Sequence, residues 1–240
     1  MEIVNNESNE ITLNVVAGET CFFASDFLRT ASFTGSVLWK KDHGFLRALV
    51  SRFLSGRLYD LFLTPTHESQ VLKLSGSESH GHFLVQTLNS GQRSVVRLPY
   101  LKAYQFQENG KFQVKSCLFD PVRWITGTVF VVIVEGPATL IFYGSGLQDS
   151  TVTECFADQV VAFDAGVPFE VTGFGPKGLG WFAQVFNAFS STVNMRFASS
   201  THLVLNTFRT EAHSRLRQVP NYLFLGVLVG GLLEWLLMGK

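Results

Sequence analysis

The stretch from Trp124 to Tyr143 runs for twenty residues with Glu135 as its only charge, which is long enough by hydropathy to cross a bilayer. Its residue types argue against that reading. Val129, Val131, Val132, Ile133, Val134, Thr139 and Ile141 are β-branched, and Glu135-Gly136-Pro137 interrupts the run at its middle. Branching at Cβ restricts χ1 in a helix and suits a pleated strand, while a glycine-proline pair punctuates either element. The run predicts two buried strands and a turn, read as a core hairpin.

The hairpin belongs to a repeat. Val132 to Val171 can be laid over Leu72 to Val114 with the same order of elements, and a truncated third copy follows in Met195 to Thr210. Turns at Gly76, Gly136 and Ser199 recur about every sixty residues, each followed by an apolar strand: Phe83 to Leu88, Leu140 to Tyr143 and Leu203 to Phe208. Short strands with polar turns between them point to an all-β sandwich or barrel built by duplication.

The chain ends differently. Tyr222 to Met238 is seventeen residues with one formal charge, Glu234. At about 1.5 Å rise per residue, a helix of that length spans most of a hydrocarbon core of about 30 Å. It is therefore expected to be a transmembrane anchor. Arg209, Arg215 and Arg217 precede it and only Lys240 follows, so the positive-inside bias keeps the body on the cytoplasmic or matrix-equivalent side. Met1 to Glu10 has three glutamates and no lysine or arginine, unlike a secretory signal or a mitochondrial presequence. The expected organisation is a β domain over residues 1–212, a linker over 213–219 and a single-pass anchor over 220–240.

Within the anchor, Gly226, Gly230 and Glu234 recur every four residues and so share one helical face. Small residues there let a second helix approach closely, and a carboxyl in lipid seeks a partner. Trp235 beside it suits the membrane interface, which leaves a second reading in which Glu234 simply reaches the headgroups. Two other stretches read as helices. In Phe45 to Leu54 the apolar side chains, among them Phe45, Leu49 and Phe53, face away from Arg47, Ser51 and Arg52, so the segment could cap the β body or lie on a membrane. Leu179 to Phe189, with Trp181, Phe182, Phe186 and Phe189, is apolar nearly all round and suits contact with protein or lipid.

Composition narrows the function classes. Hydrophobic residues make up 46% and charged residues only 16%, against roughly a quarter charged in ordinary soluble domains. Nineteen basic residues balance nineteen acidic ones, so no net field draws nucleic acid to the chain. Cys21, Cys117 and Cys155 have no paired spacing and read as small buried hydrophobes rather than a disulfide or zinc framework.

The phrases VIVEGPATLIFYGSG, FADQVVAFDAGVPFEV and VNMRFASSTHLVLNTF resemble the altered inheritance of mitochondria protein 24 family, also called the mitochondrial biogenesis family. The likeness runs from about Glu19 to Thr210 and rests on structural turns. It implies a fold similar to the tryptophan RNA-binding attenuation protein, a mainly β double-stranded helix or sandwich with short helices, often a homotrimer. For mitochondrial members it implies a role in inner-membrane organisation, with no catalytic residues. The chain departs from the pattern at Ala198-Ser199-Ser200, where glycine and proline are usual, at the Phe45 segment and in its apolar tail.

Apparent sites remain to be weighed. His80 and His82 would share a strand face as in metal-binding cupins, but Gln86 stands where a glutamate ligand is expected, and His202 with Asn206 lacks the matching turn. Two imidazoles need a further ligand to hold an ion well. Gly173-Phe174-Gly175-Pro176-Lys177-Gly178 matches a dinucleotide fingerprint, yet the next acidic residue is Glu211, far beyond the expected position. Asp158 and Asp164 beside Gly166 read as turn residues. No enzyme activity, cofactor, metal or nucleic-acid partner is expected. The expectation is a tail-anchored scaffold or accessory subunit, in a bacterial or mitochondrial inner membrane, whose partners are lipid and other integral subunits. The alternative is a small-ligand binding module, with RNA disfavoured by the zero net charge.

Overall fold

The structure, a computed structural model, describes residues 1–7, 9–24, 28–31, 37–39, 61–65, 68–76, 80–107, 109–116, 130–157, 159–173 and 193–207. These hold strands only. The first are β1 (Glu2–Glu7), β2 (Glu10–Val15), β3 (Cys21–Phe23), β4 (Leu28–Ala31), β5 (Val37–Trp39) and β6 (Leu61–Leu63). There follow β7 (Gln70–Ser75), β8 (Gly81–Leu88), β9 (Arg93–Val96), β10 (Leu101–Phe106), β11 (Lys111–Ser116) and β12 (Phe130–Glu135). The last are β13 (Ala138–Ser145), β14 (Leu147–Phe156), β15 (Val160–Asp164), β16 (Phe169–Gly173) and β17 (Val193–Asn206).

They form three antiparallel sheets, in the orders β1-β2-β7-β4, β5-β6-β3-β10-β13-β8 and β11-β12-β9-β15-β17-β14, with β16 on β17. Alternation along the strands sorts side chains onto opposite faces. One face of the second sheet presents Cys21, Phe23, Leu63, Ala103, Ile141, Phe83 and Tyr143 to Ile11, Leu13, Val15, Leu72 and Leu74 of the first. Its other face presents Leu101, Tyr104, Leu140, Phe142 and Leu88 to Val96, Val134, Val161, Ala162 and Val204 of the third. The second sheet is thus apolar on both sides. Within this sheet Phe22 stacks on Tyr104, ring centres 4.9 Å apart, and Phe112 of the third sheet meets Tyr104 edge-on at 4.5 Å, which joins the two layers.

The third sheet is also buried on its far side, by its own longest strand. β17 pairs with β14 throughout, but the register jumps between Val152 and Glu154, and the preceding half of β17 carries β16. Phe169 and Phe197 from that half pack on Phe163, at 5.5 and 5.9 Å, in a cluster with Val160, Leu203 and Leu205. In β15, Val161 is an extra residue between Val160 and Ala162, a bulge that turns both Val161 and Ala162 toward the second sheet.

Two expectations are corrected here. Strands do flank Gly136-Pro137, but they are not a hairpin: β12 pairs with β9 and β11, whereas β13 pairs with β10 and β8 in the facing sheet. Pairing was misjudged because hydropathy marks a strand as buried without saying which sheet it joins. Ser199 likewise is no turn, since β17 continues through it, and the triplet Ala198-Ser199-Ser200 lies exposed at the register jump. β8 and β13, from the first two copies of the repeat, pair over all eight residues. Described helices are absent, so none crosses a membrane; the Phe45, Trp181 and C-terminal segments all lie outside the described residues.

The Gly136 crossing is tight. Its N–H donates to the Gln92 carbonyl at 2.8 Å, and a Cβ there would overlap the Asn89 carbonyl oxygen and lie 2.9 Å from that of Leu88. Backbone on both sides leaves little room to yield. Gly136→Ala is expected to cost about 1–3 kcal/mol, the range of an overpacked core position, read as a lower midpoint in urea unfolding. An unchanged midpoint would refute the crowding.

Candidate functional site

The second and third sheets meet at two ends. At one, Glu135 passes through Gly136-Pro137 into β13; at the other, Ser145 passes through Gly146 into β14, and Val96 leads through residues 97–100 into β10. At this Gly146 end the strand β8 approaches β14, and His82 donates from Nε2 to the Leu147 carbonyl.

Parity along the strands places other polar groups on the facing sides. Leu84 and Leu88 of β8 and Val204 of β17 belong to the core between the two sheets, so His82, Gln86 and Asn206 project from the same faces. Asn206 is 3% exposed; its Nδ2 donates to the Tyr100 hydroxyl at 3.2 Å, while its Oδ1 has no partner. The Oε1 of Gln86 is likewise buried and unpartnered. Reversing the Asn206 amide would only exchange which end is left over. An unpaired buried amide costs about 1–3 kcal/mol, so such positions mark either stored instability or a place for a small polar molecule.

The remaining sequence-level sites are dispersed. His80 lies exposed in the turn before β8 rather than on the strand with His82, which corrects the shared-face expectation. His202 is exposed on β17 and pairs with Asp149 at 2.9 Å. Among the described residues no group of three or more histidines, cysteines or carboxylates converges as a metal would require. Asp164 accepts from the Gly166 N–H at 2.7 Å, the turn role expected of it; Asp158 lies outside the described residues. Gly173 closes β16, and residues 174–178 of the glycine-rich match lie outside the described residues. So do Phe45, Leu49, Phe53, Trp181, Phe186, Gly226, Gly230, Glu234 and Trp235.

Sequence reasoning passed over one further polar cluster, under the first two sheets. Gln105, only 3% exposed, donates to Glu19 Oε2 at 2.6 Å, and the Met1 amino group reaches the same oxygen at 2.7 Å. The amino group, then Gln105, hold the Glu19 carboxyl below its usual range. Beside them burial pushes the Cys21 thiol up to about 12, which suits a packed side chain and not a nucleophile. Glutamine in an alternating strand usually signals solvent, so no signal in the sequence flagged Gln105.

The described residues define a mainly β protein with sandwiched antiparallel sheets. No protein-family model matches the chain, and neither does any curated protein. Among solved structures it is similar to the crystal structure of protein SPYM3_0169 from Streptococcus pyogenes, with a TM-score of 0.62 at 14% identity. The match covers 89% of this chain and 95% of that one. At that identity the likeness speaks for the fold alone.

Proposed function

We propose that the protein is a non-enzymatic, tail-anchored scaffold or accessory subunit of a membrane complex, supporting its assembly or the organisation of its membrane. The observation that carries this reading is the segment Tyr222 to Met238, with one carboxylate in seventeen residues, following a body whose sheets already bury their own apolar faces. A segment so poor in charge suits lipid. The resemblance to the mitochondrial biogenesis family supports the same role, with the body on the cytoplasmic or matrix-equivalent side and a trimer as the assembly. The repeat and the passage of β8 to β14 back and forth between two sheets support a double-stranded β-helix similar to the attenuation protein.

The partner helix would meet Gly226, Gly230 and Glu234. Purification in mild detergent followed by mass spectrometry should recover integral subunits with the native protein. Gly226→Leu with Glu234→Leu should release those subunits and leave the protein in the membrane. Subunits that stay bound to the double variant would count against a helix contact on that face.

A second reading has its own observation. The unpaired amide ends of Asn206 and Gln86 favour a small polar ligand between the sheets. A co-purified small molecule in native mass spectrometry, lost in Asn206→Leu, would favour the binding module over the scaffold.

A further inference from the structure

The turn from Gln107 to Gly110 carries the chain from β10 in the second sheet to β11 in the third. It closes on a backbone bond, from the Gly110 N–H to the Gln107 carbonyl at 3.0 Å. It also leans on the Gly136 crossing, because the Gln107 N–H donates to the Pro137 carbonyl at 3.0 Å.

The geometry dictates the residue types at two of its positions. Asn109 has φ at 70°, in the left-handed region that asparagine tolerates and most side chains resist. Among the described residues no other residue except glycine has a positive φ. At Gly110 a Cβ would lie 2.6 Å from the Pro137 carbonyl oxygen and 2.7 Å from the Phe106 ring, so a side chain is excluded there.

The fold thus places together the two residues whose junction is chemically least durable. A backbone nitrogen that follows an asparagine can attack the side-chain carboxamide, and glycine puts no Cβ in its way. Asn109-Gly110 is the one asparagine–glycine pair in the sequence. Asn109 is also exposed, so water reaches its side chain.

We propose that Asn109 is a site of spontaneous deamidation, and that its isoaspartate product loosens the joint between the second and third sheets. The Gly110 nitrogen bonds to Cγ of Asn109, the bond from Cγ to the carboxamide nitrogen breaks, and ammonia leaves with the proton that Gly110 gives up. A cyclic succinimide remains. Water then opens it at either carbonyl, giving aspartate or isoaspartate, and no oxidant or cofactor is needed. The Gly110 N–H must first leave the Gln107 carbonyl, so the folded turn slows the attack; a single bond in a surface turn opens too easily to prevent it.

The two products differ in consequence. Aspartate adds a charge and keeps the backbone, whereas isoaspartate routes the main chain through Cβ and lengthens it. Between the Pro137 carbonyl and the Phe106 ring there is no room for the longer chain with both turn hydrogen bonds in place. Phe106 meets Phe112 of the third sheet edge-on at 5.1 Å, so a displaced turn weakens a contact between the sheets as well.

The test is to hold the full-length protein for weeks in mildly alkaline buffer, then map its tryptic peptides, with isoaspartate detected by enzymatic methylation. The peptide from Ala103 to Lys111 should convert steadily, while Asn89, exposed in a turn but followed by Ser90, should lag behind it. Asn109→Gly allows the same φ, lacks the carboxamide and should not convert. The aged native protein should unfold at a lower urea midpoint than the fresh one, and Asn109→Gly should not change. Asn109→Asp, with the charge and the ordinary backbone, should unfold close to the fresh protein. Conversion seen only in the urea-unfolded chain, or in neither state, overturns the site. Conversion in the folded protein with an unchanged midpoint overturns the loosened joint.

Discussion

Tyr143→Ala is expected to lower the folding free energy by about 3–5 kcal/mol, the range for deleting a buried aromatic ring. Tyr143 is 2% exposed, packs on Phe83 at 4.7 Å between ring centres, and donates its hydroxyl to Asn9 Oδ1 at 2.8 Å. The ring is set against bare backbone. A Cβ on Gly76 or on Gly81 would fall inside it, so two glycines hold open the slot that it fills. With no side chain on either glycine to relax into the hole, collapse is limited and the cost belongs at the upper end of the range. Tyr143→Phe, which keeps the ring and removes one hydrogen bond, should cost only about 0.5–1.5 kcal/mol. A double-mutant cycle sharpens the test: Gly81→Ala should be strongly destabilising alone and nearly neutral beside Tyr143→Ala, because the collision is then gone. Equal costs in both backgrounds would mean that ring and glycine are not coupled, and chemical denaturation of the four proteins measures it.

Deleting Val219 to Lys240 is expected to move the protein from the membrane fraction to the soluble fraction, while the full chain resists an alkaline wash. The change is large because the deletion removes the whole proposed anchor, seventeen residues with one carboxylate. A truncated protein that stays in the membrane through the alkaline wash would contradict the anchor.

Strand identity was plain in the sequence wherever β-branched residues clustered. Val132, Ile133 and Val134 lie in β12, and Leu140, Ile141 and Phe142 in β13, because branched and aromatic side chains suit a pleat buried on both faces. The buried Cys21 and the turn at Asp164 followed from residue type as well. The short early strands β1 to β6 were not read, for three to six residues carry too little periodicity to stand out. Residue type alone does not mark the amides of Gln86, Gln105 and Asn206 as buried; tertiary packing covers them.

Local chemistry determined which segments are strands, that Tyr222 to Met238 is apolar enough for lipid, and that charges sum to zero. Those properties belong to single residues and their neighbours in the chain. Tertiary structure alone decided that β12 and β13 join different sheets and that β17 doubles back to cover its own sheet. Pairing depends on the register between segments far apart in sequence, and hydrophobic burial rewards any partner that excludes water, so no local pattern could choose among them.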